Sequence, residues 1–215
     1  MEGSNPIHTA PGVPATGSSR TDAAWRALQA ATAALHAQVE ATPLMAALMS
    51  PAVDRGLCVE VLQRLLRIHA GWEEANATRL QALSWPWRPR AHGLRHDLMA
   101  LGVRPATQTL AAPRADCDAD AWGMLYVVEG SALGGRLIAR HLRAHVPRLA
   151  EAIQHFEAAE AGPGWPAFRA ALEQALPDEA SRARAASAAR AMFSHFHGQF
   201  VRPIAAHGDA GTVTA

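Results

Sequence analysis

One stretch decides the fold of this chain: Tyr126-Val-Val-Glu-Gly-Ser-Ala-Leu-Gly-Gly-Arg136, which continues at helical spacing to His145. Apolar residues recur every three or four positions on both sides of its glycines, and this pattern predicts one amphipathic helix. Gly130, Gly134 and Gly135 stand inside that helix. Each costs about 1 kcal/mol relative to alanine in a helix interior. We therefore expect these glycines to permit a contact that offsets this cost.

The small residues of this stretch form one strip along a helix face. Gly130 and Gly134 lie four positions apart, as do Ser131 and Gly135, and residues at this spacing are neighbours on the helix surface. Such a strip has two interpretations. It is either a close helix–helix crossing or a helix laid over a planar ligand that contacts its backbone. The adjacent pair of glycines also permits the helix to bend.

The remaining sequence predicts a single all-α domain. It is 49% hydrophobic, shows helical periodicity in segment after segment, and contains no convincing strand pattern. We assign residues 21–207 to this domain. Residues 1–20, which are rich in Gly, Ser, Pro and Thr, are predicted to be a flexible N-terminal tail, and residues 208–215 a C-terminal tail.

Capping residues and prolines set the predicted helix boundaries. Ser, Thr, Asp and Asn favour the N-cap position, and proline favours the first turn. We predict a first helix capped by Thr21 or Asp22 and a long helix that begins at Asp54. Two later helices are predicted, one from Pro147 to just before Gly162 and one from Asp178 to about Ala206.

Charge and cysteine content exclude several classes of function. The formal net charge is +1, and all twenty cationic residues are arginine; no basic run suggests a nucleic-acid surface. No apolar run approaches the length that spans a membrane. Cys58 and Cys117 have neither metal-binding nor redox spacing, so we expect a reduced, cytoplasmic protein.

His36 is the histidine whose surroundings suggest a metal ligand. It lies on the first predicted helix beside the apolar positions Leu35 and Val39, with Glu40 one turn later on the same face. A metal-bound imidazole usually has its second ring nitrogen held by an acceptor, which fixes its tautomer and orientation. Glu40 can supply that acceptor. Alone, this arrangement also suits an ordinary boundary histidine.

Two segments together resemble the heme oxygenase family. Leu35-His-Ala-Gln-Val-Glu-Ala-Thr-Pro-Leu-Met45 resembles the helix that carries the iron ligand in that family. Glu129-Gly-Ser-Ala-Leu-Gly-Gly-Arg136 resembles the helix on the opposite face of the heme, in the form found in bacterial, bacteriophytochrome-associated members. The resemblance covers roughly residues 22–206 and implies a single-domain, all-α, multi-helix bundle.

The resemblance also implies roles for individual residues. His36 matches the iron ligand, and Glu40 matches the acceptor for its other ring nitrogen. Gly130, Gly134 and Gly135 match the glycines whose backbone lies against the heme. Ser131 stands where many members carry an aspartate that orders water for bound oxygen, so a proton relay has to use Ser131, backbone and water, or another group.

The implied activity is the oxidative cleavage of heme b, which is both cofactor and substrate, to biliverdin, CO and free iron. It consumes O2 and electrons, and because no nucleotide motif is present the electrons are expected from an external reductase or ferredoxin. A bacteriophytochrome is the expected acceptor of biliverdin. Arginine is expected at the heme propionates, with Arg140 ranked before Arg136, Arg190 and Arg26.

Three other functions are compatible with parts of the sequence. A heme carrier or sensor of the same fold, without turnover, is suggested by Ser131. A thiaminase-like enzyme of this fold leaves His36 and Glu40 unexplained. A purely structural helical protein leaves the cost of the glycine strip unexplained.

Overall fold

The computed structural model describes residues 22–157 and 162–203, and within these ranges every regular element is helical. The predicted all-α class is confirmed. None of the helices in these ranges is long and apolar enough to cross a membrane. The two predicted tails, residues 1–20 and 208–215, lie outside the described residues. The helices are α1 Ala23–Glu40, α2 Pro43–Leu48, α3 Arg55–Ala82, α4 Ala91–Ala100, α5 Asp118–His145, the 3-10 helix Pro147–Ala152, α6 Gln154–Glu157, α7 Gly164–Ala175 and α8 Glu179–Phe200.

Two of the predicted helix starts are formed by the capping residues that the sequence indicates. Asp54 Oδ1 accepts the backbone N–H of Leu57 at 2.8 Å at the start of α3. Asp178 Oδ1 accepts the backbone N–H of Ser181 at 2.7 Å at the start of α8. Both bonds satisfy N–H groups that have no partner inside the helix.

The start of α1 is stabilised differently from the prediction. Asp22 occupies the N-cap position but makes no capping bond, and its carboxylate pairs with Arg169 of α7. Instead Glu173, also of α7, accepts the N–H groups of Ala24 and Trp25 at 3.0 and 2.9 Å. Asp22 thus occupies a predicted N-cap position, but its side chain makes no capping bond because a carboxylate from a distant helix takes the free N–H groups. Thr21 lies outside the described residues.

The prediction of one continuous helix between Pro147 and Gly162 is wrong. The chain instead forms a 3-10 helix, breaks at Ile153 and begins the short α6. The break has a tertiary cause, since Asp97 of α4 accepts the N–H groups of Gln154 and His155 at 3.2 and 2.8 Å. These two N–H groups would bond to carbonyls of the preceding turn in a continuous helix.

The last helix ends at Phe200 and not near Ala206. The guanidinium of Arg64, which is buried in α3, donates to the carbonyls of Gln199, Arg202 and Pro203. Those carbonyls lie at and beyond the end of α8, where helical partners run out. Arg64 thus donates to carbonyls that would otherwise need the N–H groups of further helical residues.

Helix α8 packs lengthwise against both α1 and α5, and this arrangement positions the site. Helix α5 approaches α8 closely at Gly123, where an added Cβ would lie 2.0 Å from the carbonyl oxygen of Ala185. No side chain fits at that distance. A glycine outside the 130–135 strip therefore makes the helix–helix crossing that brings α5 into place.

Candidate heme site

A cavity of about 410 Å³ lies between α1 and α5 and extends to α3, α6 and α8. Its volume falls within the roughly 300–1,000 Å³ of typical small-molecule sites. Its lining is largely apolar, with the aromatic rings of Phe193, Phe196 and Phe200 contributed by α8. Residues from both segments named above line it: His36 and Glu40 from α1, and Gly130, Ser131, Gly134 and Gly135 from α5.

His36 presents its imidazole to this cavity. The side chain is 58% exposed, and its Nδ1 lies 3.6 Å from Oε2 of Glu40. That separation is longer than a normal hydrogen bond, so the two groups are neighbours on one helix face without being hydrogen-bonded. The edge of the ring packs against Phe193 of α8, with 5.7 Å between centroids. The other ring nitrogen, Nε2, is left to bind a ligand.

The three glycines of the strip on α5 do not share one environment. A Cβ added at Gly134 would meet no atom within 4 Å, so the backbone there faces open space. A Cβ at Gly135 would lie 3.0 Å from the carbonyl oxygen of Phe156, and one at Gly130 would lie 3.5 Å from the ring of Trp165. The first interpretation of the strip, a close approach of another helix, thus applies at Gly135, and the second, a planar ligand against the backbone, stays a prediction. Gly135 serves a close approach of α6, and Gly134 leaves backbone open to the cavity.

Ser131 is exposed on α5, and its hydroxyl donates to the carbonyl of Val128 at 2.8 Å. The hydroxyl proton is therefore already engaged within the helix, as is common for serine in helices. Among the described residues that line the cavity, the one carboxylate is that of Glu40. Helix α5 thus brings no acidic side chain to the site.

None of the predicted arginines lines the cavity. Arg140, Arg190 and Arg26 are exposed and do not line it. Arg136 lines a separate cleft of about 40 Å³, which also includes Arg88. The role of Arg140 at the propionates remains a prediction.

Three basic residues that the sequence did not single out line the cavity: His69 of α3, His155 of α6 and Arg90. His69 is 1% exposed, and its ring centroid lies 5.7 Å from that of His155. Burial lowers the pKa of His69 well below its usual range, and the nearby His155, Arg90 and His195 act in the same direction. Burial, followed by the charge of Arg90, lowers the pKa of His155 to about 3.

Sequence signals for this pair are weak. His69 falls on the apolar stripe of α3, four residues after Leu65, and looks like an ordinary core position. His155 follows a helix break that Asp97 imposes from another part of the chain. The polar residue Arg90 precedes α4 and pairs with Glu129 of α5 at 3.0 Å, a contact that only the folded chain reveals.

Two comparisons with known proteins give the same family. A family model described as heme oxygenase matches residues 22–202, which is most of the chain. The chain is also similar to a protein named heme oxygenase from Xanthomonas campestris pv. campestris (strain 8004). The two are 46% identical over 158 residues, which cover 72% of this chain and 94% of that protein. The site residues lie within the matched range, and the chain belongs to the heme oxygenase family.

Proposed function

We propose that heme lies in the cavity between α1 and α5, with its iron bound by His36, and that the chain opens it oxidatively to biliverdin, CO and free iron. The observation that carries this proposal is the shared cavity. An imidazole from one helix and an open glycine backbone from the facing helix line the same space.

The residues present fit heme. A flat macrocycle needs a slot whose wall allows close approach, and Gly134 leaves its part of α5 bare. The described residues contain no group of three or more His, Cys, Asp or Glu side chains that would hold a bare metal ion. A single histidine ligand is sufficient for heme, because the macrocycle supplies four nitrogen ligands itself. The mostly apolar lining suits its hydrocarbon faces.

Each site residue has a physical role in this arrangement. His36 would bind the iron through Nε2, while Glu40 would accept a hydrogen bond from Nδ1 after closing the present 3.6 Å gap. Phe193, packed against the imidazole, restricts the rotation of the ring. Gly134 allows contact with the α5 backbone. When bound, heme supplies the oxygen chemistry and is itself the molecule that is cleaved.

Several finer assignments are part of the same proposal. The heme is heme b, the oxidant is O2, and an external reductase or ferredoxin supplies the electrons, since the sequence contains no nucleotide-binding motif. A bacteriophytochrome takes up the biliverdin. A cytoplasmic location is supported by two free cysteines among the described residues, Cys58 and Cys117. Arg140 is proposed as a propionate partner at the rim of the slot.

Two observations on α5 favour a second candidate, a heme carrier or sensor without turnover. Ser131 has its hydroxyl proton engaged by Val128, and α5 brings no carboxylate to the cavity. A carrier needs His36 and the slot but no group that delivers protons. Spectra under turnover conditions separate the two functions.

The test is a titration of the protein with hemin, followed by reduction with ascorbate or a ferredoxin system in air. We expect a Soret band on binding, then its loss together with the appearance of the biliverdin band. His36→Ala should lose the histidine-ligand signature and regain it with added imidazole, whereas His92→Ala, an exposed change on α4 away from the cavity, should behave as wild type. A stable Soret band under turnover conditions would identify a carrier, and an unchanged His36→Ala spectrum would refute the ligand assignment.

A further inference from the structure

His141 and His145 form a pair of imidazoles on the last two turns of α5, outside the heme cavity. They lie four positions apart in the sequence, and residues at this spacing are neighbours on one helix face. Their ring centroids are 4.1 Å apart, with an angle of 31° between the ring planes. His145 is exposed and His141 is half-buried, and neither lines the cavity. The proposed function therefore gives this pair no role.

Hydrogen bonds to backbone carbonyls fix the tautomer of each ring. Nε2 of His141 lies 3.0 Å from the carbonyl oxygen of Ser50, in the turn between α2 and α3. Nδ1 of His145 lies 2.9 Å from the carbonyl oxygen of His141. A carbonyl oxygen only accepts, so each of these two nitrogens carries the proton and donates it. In the neutral rings the free lone pairs are then on Nδ1 of His141 and Nε2 of His145.

This arrangement is typical of metal ligands. A metal-bound histidine almost always donates its other ring N–H to a carbonyl, a carboxylate or water, which fixes the orientation of the ring, and both rings do so here. Two histidines four positions apart on a helix are also a recurrent metal-binding pair. Nitrogens that bind one ion at about 2.0–2.1 Å lie about 3–3.5 Å from each other. Rings with centroids 4.1 Å apart can reach that separation through side-chain rotation alone.

The charges at this end of α5 are compatible with a bound cation. Arg140 and Arg143 adjoin the pair in the sequence, and Arg143 is neutralised in part by an ion pair with Glu157. Helix α5 ends at His145, and the partial negative charge of a helix C-terminus favours cations. Two imidazoles are fewer than the three protein ligands of a catalytic or structural zinc site, so water has to complete the coordination.

We propose that His141 and His145 bind a divalent transition-metal ion through Nδ1 of His141 and Nε2 of His145. Imidazole is a good ligand for Zn²⁺, Ni²⁺ and Cu²⁺, and the affinity of a nitrogen site for first-row divalent ions is highest for Cu²⁺. The site therefore binds Cu²⁺ most tightly and does not bind Mg²⁺, which prefers oxygen ligands. This site is independent of the heme cavity and of the proposed function.

Titration of the full chain with Cu²⁺ tests the proposal. Loss of an outer partner of a metal ligand already costs about 10–100-fold in metal affinity, so loss of a ligand should raise the Cu²⁺ dissociation constant of the tightest site at least about tenfold. We expect this result for His141→Gln and for His145→Gln. Glutamine keeps an amide that can donate to the carbonyl, so both variants should retain the helix content of the wild type. The electron paramagnetic resonance spectrum of the Cu²⁺ complex should show two imidazole nitrogens in the wild type and one in each variant.

The second histidine pair of the chain is a matched control. His92 and His96 have the same spacing on α4 and are both exposed, but among the described residues neither ring donates to a carbonyl. His92→Gln should therefore leave the tightest Cu²⁺ site unchanged, and His36→Ala should do the same, which separates this result from the identity of the heme ligand. The proposal is overturned if both variants on α5 bind Cu²⁺ as the wild type does, or if His92→Gln or His36→Ala removes the tightest site.

Discussion

Leucine substitutions at the neighbours Gly134 and Gly135 should have opposite consequences for folding and ligand binding. The new Cβ at position 134 meets no atom within 4 Å, whereas at position 135 it lies 3.0 Å from the carbonyl oxygen of Phe156. One side chain would therefore enter open space in the cavity, and the other would press on the backbone next to α6. The two variants differ by one position and carry the same added group, so each is the control for the other.

The expected magnitudes follow from these distances. Replacing glycine by a good helix former in a helix interior gains about 0.8–1 kcal/mol, and at position 134 nothing opposes that gain. Gly134→Leu should therefore raise the free energy of unfolding of the apoprotein by up to about 1 kcal/mol. At position 135 the same gain is opposed by overpacking, which typically costs about 1–3 kcal/mol, so Gly135→Leu should be neutral or destabilising.

Gly134→Leu, which should stabilise the apoprotein, should weaken hemin binding. A leucine at position 134 fills the space in which the macrocycle would contact the α5 backbone, and we expect hemin affinity to fall at least about tenfold, or about 1.4 kcal/mol. Urea unfolding of the apoproteins and hemin titrations of the same samples measure both quantities. A Gly134→Leu variant that binds and degrades heme at wild-type level would refute the placement of the macrocycle against this helix.

Three further predictions concern other parts of the molecule. Gly123→Ala should destabilise the fold by several kcal/mol in urea unfolding, because its Cβ would lie 2.0 Å from the carbonyl oxygen of Ala185; a cost below about 1 kcal/mol would show that α5 and α8 separate easily. Arg140→Ala should alter the ratio of biliverdin isomers more than hemin affinity, since an exposed guanidinium–carboxylate pair contributes only about 0.2–1 kcal/mol; an unchanged ratio on chromatography would remove Arg140 from the propionates. The apoprotein should lose stability as the pH falls from 6.5 toward 3. The pKa of His155 is lowered to about 3 in the folded state, so over this range the unfolded chain binds a proton that the folded chain does not. The loss of stability should be smaller in His155→Leu.

Local signals explain why much of the fold can be predicted from the sequence. Asp54 and Asp178 satisfy N–H groups within three residues of themselves, so neighbouring residues determine where α3 and α8 start. The apolar periodicity around the glycines likewise predicts α5, which remains helical from Asp118 to His145. In each case the stabilising partner lies within one or two turns of the residue that it stabilises.

The errors have the opposite origin. Glu173 acts on the first turn of α1, Asp97 on the region of α6, and Arg64 on the end of α8, in each case from a different helix. A sequence read locally contains no sign of these partners. The same limit applies to the site, because His69 and His155 lie 86 positions apart in the sequence and become neighbours only where α6 packs against α5 and α4.

The distribution of polar groups around the cavity suggests why α5 carries glycine where a larger side chain would add hydrogen-bonding capacity. A helix cannot present both bare backbone at Gly134 and a long polar side chain on the same narrow strip, because residues four apart cover neighbouring surface. The hydroxyl of Ser131 donates to the carbonyl of Val128, so this side chain stays close to the backbone of the helix. Other polar side chains that line the cavity, among them His69 and His155, come from α3 and α6, and burial together with the charge of Arg90 lowers the pKa of both histidines. The close packing at Gly135, which brings α6 and His155 to the cavity, is thus part of the same arrangement as the open backbone at Gly134.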